Sequence, residues 1–198
     1  MMNSELANSD LSRFLVDIVI KLMIVVTALI FSKMATTFPE TTDARAFRNV
    51  IASMGVLIVL VCVISTLAEY HVKSRLKYEW WYLLFDLLLV ALPLYVVIEL
   101  VSRSTALNGD RLFGYAMWTL IVALAMLNVR SWALWTGERA FPIWSLTLFH
   151  GGGLLITLVL IRWPNPVSQI VFASLGCVAG IGYFLLAWVF KMALTMRS

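Results

Sequence analysis

Apolar residues in this chain arrive in runs of about 20, and no other feature narrows the fold as far. One such run crosses a hydrocarbon core roughly 30 Å thick as a single helix. No water is present there to satisfy the backbone, so only helices or a closed β-barrel can span it. Barrel strands need segments of about 10 residues with alternating polarity, and these runs do not alternate. The sequence therefore predicts an all-α integral membrane protein, a bundle of six transmembrane helices with short loops. The predicted spans are Phe14 to Ser32, Val50 to Ala68, Trp80 to Val101, Leu112 to Thr136, Pro142 to Trp163 and Val167 to Phe190. Residues 1–198 form one transmembrane domain, with no loop long enough for a separate soluble unit.

Composition agrees. The chain is 62% hydrophobic and 13% charged, whereas a soluble domain is roughly half apolar and about a quarter charged. Arg13 precedes the first span, but no small-x-small cleavage site follows it, and the span carries Asp17 and Lys21. It is expected to stay as a helix and not to be removed as a leader. Between the first two spans, Thr42 and Asp43 are candidate N-caps. Pro93 is expected to kink the third span.

The net charge of +4 is spread over the loops, as orientation signals are, so no nucleic-acid face is expected. The compact basic loop Lys73, Arg75, Lys77 points to both termini in the cytoplasm, in a plasma (inner) membrane. Trp80, Trp81, Trp132, Trp135, Trp144 and Trp188 gather at the N-terminal side, leaving Trp118 and Trp163 nearer the other.

The polar residues within the spans carry the functional question. Asp17 and Lys21 lie about 5 and 10 Å into the first span, at 1.5 Å per residue. Measured from the same side, Asp86 and Arg130 lie about 9 Å deep, and Asn128 and His150 about 12 Å. One leaflet thus collects these groups from four spans, and the other is nearly free of charge. Asp17 and Lys21, spaced i,i+4, share a helix face and can pair. Asp86 and Arg130 are then the natural partners across helices. Such a neutral cluster either fixes the packing or lines a water-filled vestibule or ion path.

Other motifs are structural. Gly176 and Gly180, with Ala173 and Cys177, form a small-residue face for close helix approach. Gly151, Gly152 and Gly153 after His150 make a thin point where another helix can come near. An H-G-G-G string also occurs in esterases, but this chain lacks the G-x-S-x-G elbow that reading requires. Cys62 and Cys177 are isolated, and the only histidines are His71 and His150, so no metal or other cofactor is expected.

The expected function is a non-enzymatic, oligomeric membrane subunit, acting as anchor or sensor for a protein partner at its cytoplasmic face. The contact patch would be Glu69, Lys73, Arg75, Lys77 and Glu79. The lipid bilayer and further copies of the chain are its other expected partners. An ion or small-solute channel using the charged cluster is the alternative. An intramembrane enzyme with Ser131 as nucleophile and His150 as base ranks last, because no third group orients the base.

Overall fold

Long apolar runs that do not alternate in polarity become helices, and the computed structural model contains six among its described residues, with no strand. Those residues are 2–37, 43–73, 80–102, 109–133, 143–163 and 165–195. The helices are α1 (Met2–Thr37), α2 (Ala44–Lys73), α3 (Trp80–Ser102), α4 (Asp110–Ala133), α5 (Ile143–Arg162) and α6 (Pro166–Thr195). Four contain stretches long and apolar enough to cross a membrane: Arg13–Thr36, Ala44–Ala68, Tyr82–Val101 and Asp110–Arg130. The described parts of α5 and α6 carry the shorter apolar stretches Thr147–Arg162 and Pro166–Gly182.

Caps place two of the helix starts. The Ala46 amide donates to Asp43 Oδ1 at 2.7 Å, so Asp43 is the N-cap of α2. Thr42, the other candidate, lies outside the described residues. Because the cap precedes the apolar run, α2 begins at Ala44 and carries Arg48 and Asn49 inside the helix. At α6, the Val167 amide donates to Asn165 Oδ1 at 2.9 Å. Pro166 occupies the first helical position, where no N–H is needed. α3 runs through Pro93 as one helix.

Packing arranges the helices in three layers of two. α2 and α4 form the middle layer and pack on each other. α1 and α3 pair on one side, α1 against α2 and α3 against α4. On the other side α6 lies on α2 and α5 on α4, while α5 and α6 scarcely touch one another. Met23 and Ile30 of α1, Val56, Leu60 and Val63 of α2, Leu89 and Val96 of α3, and Met117 of α4 are fully enclosed.

Small residues set the closest approach, at α2 and α6. A Cβ on Gly180 would stand 3.3 Å from Ile58 Cγ2, and one on Gly55 would meet Cys177 Sγ at 3.6 Å. Cys177 Sγ also reaches the Ile51 carbonyl at 3.7 Å. The contact face is thus Ala173, Cys177 and Gly180, at i, i+4 and i+7. Gly176 was expected on this face, but a Cβ there would meet nothing within 4 Å among the described residues, because the helix is rotated to put Cys177 against Gly55. Of the three consecutive glycines in α5, Gly153 alone would meet a neighbouring helix among the described residues, an added Cβ standing 3.2 Å from Leu124 Cδ1.

This asymmetry yields a paired test. Gly180→Leu must displace Ile58 and should lower stability by about 1–3 kcal/mol, the usual range for overpacking. Gly176→Leu should leave the melting temperature in detergent unchanged. Equal melting shifts for the two variants would refute the assigned rotation of α6.

Candidate functional site

Three polar constellations occur on the described helices, and only one matches the expected cluster. At the end of the bundle where α1 starts, Arg130 Nη2 of α4 donates to Asp86 Oδ1 of α3 at 2.5 Å. Asp86 has no exposure and the Arg130 side chain 3%, so the ion pair is fully enclosed. The guanidinium also stands 5.6 Å from the ring centre of Tyr82, one turn before Asp86. Arg130 Nη1 and Asn128 Oδ1 are buried without a hydrogen-bond partner among the described residues. His150 is buried on α5, one turn from the Gly153 contact with α4.

Asp17 and Lys21 do pair, Nζ to Oδ2 at 2.5 Å. They stand apart from Asp86 and Arg130, on the outer surface of α1, with side chains 43% and 71% exposed. Similar depth along the bundle does not imply a shared interior, because depth leaves the direction in which each helix face points undetermined. The expected common cluster is therefore split into a buried pair and an exterior pair.

The third constellation lies at the opposite end, where the sequence was read as nearly free of charge. Arg48, in the first turns of α2, is buried and uses all three nitrogens. Nε and Nη2 donate to Asn49 Oδ1 at 3.0 and 2.9 Å. Nη1 donates to Gln169 Oε1 of α6 at 3.0 Å, and Nη2 to Asp110 Oδ1 of α4 at 2.9 Å. Its plane covers Phe113 at 4.3 Å from the ring centre. Asn49 Nδ2 donates to the Gly109 carbonyl, and Gln169 Nε2 to the carbonyls of Leu160 and Trp163 that end α5. One arginine thus connects α2, α4, α6 and, through Gln169, α5. Arg48 precedes the apolar run, which begins only at Val50, so hydropathy alone places it in a loop; the Asp43 cap is the signal that the helix starts earlier.

Hydroxyls within the helices bond to their own backbone. Thr27, Thr66, Thr119 and Thr157 each donate to the carbonyl four residues back. On the exterior, an apolar groove of about 620 Å³ runs between α1, α2 and α6, walled by Ile24, Ala28 and Phe31, by Val61 and Ser65, and by Leu185. No group of three metal-ligating side chains converges among the described residues. The side chains of Glu69 and Lys73, and all of Arg75, Lys77 and Glu79, which make up the expected partner patch, lie outside the described residues.

The buried pair makes a stability prediction. Asp86→Asn or Arg130→Gln leaves one buried group without its counter-charge and should cost about 3–5 kcal/mol. The double variant Asp86→Leu, Arg130→Leu should recover much of that loss, since neither charge remains. Unfolding followed by tryptophan fluorescence in detergent measures all three. A double variant no more stable than either single one would refute a mainly compensating role.

Comparison with known proteins adds no relative: no family model, no curated protein and no solved structure matches the chain.

Proposed function

We propose that the chain is a six-span integral membrane protein with both termini in the cytoplasm. It serves as a non-enzymatic, self-associating subunit that anchors a partner protein at its cytoplasmic face. One observation carries this reading: the buried charges are neutralised in pairs that tie helices together, Asp86 to Arg130 within the bundle and the buried Arg48 to the exposed Asp110. Such a body is a platform, with its chemistry directed outward. Large apolar side chains exposed on every helix, among them Phe14, Met54, Leu84, Trp118, Leu148 and Val178, support a lipid surround. The basic loop Lys73, Arg75, Lys77, flanked by Glu69 and Glu79, joins α2 to α3 at the proposed cytoplasmic end.

Purification from the native host in mild detergent tests this. The intact chain should bring down a stoichiometric soluble protein, and neutralising Lys73, Arg75 and Lys77 together should release it without loss of membrane insertion. Unchanged association, or a homo-oligomer with nothing attached, would remove the reading.

A second reading, a channel or carrier for an ion or small solute, is favoured by a separate observation. Arg130 Nη1 and Asn128 Oδ1 are buried with unused hydrogen-bonding capacity among the described residues, and polar partners of this kind are one requirement for holding an internal water. Flux through liposomes would then change in Asp86→Asn protein that still folds and inserts. Equal flux would sink it.

A further inference from the structure

Asp17, Lys21, Ile24, Ala28 and Phe31 fall on one face of α1, within an arc of about 80° at 3.6 residues per turn. The last three wall the apolar groove between α1, α2 and α6. The exposed ion pair therefore stands directly above the groove's end on the side where α1 begins. On the six-span reading, on which this inference rests, Lys21 lies about 12 Å inside the apolar stretch that starts at Arg13. Asp17 lies about 6 Å nearer the water. Charges facing lipid at such depth are costly unless a polar partner meets them.

We infer that this groove and ion pair bind one phospholipid whose headgroup bears both a phosphate and a terminal amine. The order of charge is the reason. In such a lipid the phosphate is attached next to the glycerol and the amine extends outward. The cation is carried by the deeper residue of α1 and the anion by the shallower one, with Nζ and Oδ2 in contact at 2.5 Å, so Lys21 is assigned to the phosphate and Asp17 to the ammonium. Lys21 has three N–H donors; one goes to Asp17 Oδ2, and the others are directed to phosphate oxygens. An acyl chain continues down the same stripe of α1 into the groove, where small Ala28 and Ser65 leave width between Phe31, Val61 and Leu185. Of the hydroxyls lining it, that of Thr27 is turned to its own helix and donates to the Met23 carbonyl at 2.7 Å.

The test reconstitutes the full chain in nanodiscs of equal phosphatidylethanolamine and phosphatidylglycerol, then counts lipids retained after transfer to detergent by native mass spectrometry. Wild-type protein should retain phosphatidylethanolamine in preference to phosphatidylglycerol. Lys21→Gln should cut retention of both roughly tenfold, the worth of one charge-assisted hydrogen bond. Asp17→Asn should abolish the preference and keep phosphatidylglycerol bound. Ala28→Trp, a change at an exposed position, should block the groove and remove both lipids. Preference for phosphatidylglycerol, retention unaltered by Lys21→Gln and Ala28→Trp, or a second protein copy in place of lipid would each overturn the inference. Resistance of the same proteins to alkaline extraction reports membrane insertion separately. A chain that fails to insert defeats the six-span reading, whereas an inserted chain that retains no lipid defeats only this one.

Discussion

An arginine enclosed among helices must have its N–H groups answered, and the residues that answer Arg48 fix how one end of the bundle is assembled. Asp110 starts α4, Gln169 lies in the first turns of α6, and the two carbonyls to which the Gln169 side-chain amide donates lie at the end of α5. α2 and α4 run in the same direction as the middle layer, with their positive N-terminal dipole ends side by side. Adding a guanidinium there would be unfavourable without an anion, and the Asp110 carboxylate at the head of α4 supplies one. Asp110 is 75% exposed, so its Coulomb attraction is weakened by solvent. The greater part of the clamp is the set of enclosed hydrogen bonds to Asn49 and Gln169, which would be left unsatisfied if any member were lost.

The opposite end is held differently. Asp86 and Arg130 join α3 to α4, and their full enclosure makes the pair costly to break. α5 and α6 are tied firmly where Gln169 bridges them and scarcely meet elsewhere. Each instead leans on its own member of the middle layer, α6 through the Gly55–Cys177 and Gly180–Ile58 contacts and α5 through Gly153 on Leu124. Polar locks therefore decide which helix ends meet, and missing side chains decide how near the helix bodies come.

How much of this the sequence disclosed depends on which coordinate is asked for. Position along a helix was readable: the six helices, the Asp43 cap, the i,i+4 Asp17–Lys21 pair and the Asp86–Arg130 partnership all follow from spacing and depth. Rotation about the helix axis was not. Gly176 and Gly180 satisfy the same spacing rule, yet α2 sets Gly55 against Cys177 and Ile58 against Gly180, and among the described residues nothing stands within 4 Å of a Cβ at Gly176. Arg48 was missed for another reason. A hydropathy run marks where apolar residues begin, whereas a helix begins at its cap, and the turn between the two holds the buried arginine.

That distinction bears on where chemistry can reside. Charges brought to one depth need not share a site, since α1 turns Asp17 and Lys21 away from the interior that holds Asp86 and Arg130. An interior pair that neutralises itself stabilises one helix arrangement and has little charge left for a ligand. An exterior pair facing an apolar solvent has the opposite character: its mutual attraction is complete, but the ends of the dipole remain open. Within a bilayer, the only abundant groups able to reach those ends are lipid headgroups. The adjoining groove, closed on three sides by α1, α2 and α6, gives the attached chain a fixed path, so the same helix that contributes Met23 and Ile30 to the core presents a recognition surface on its other face.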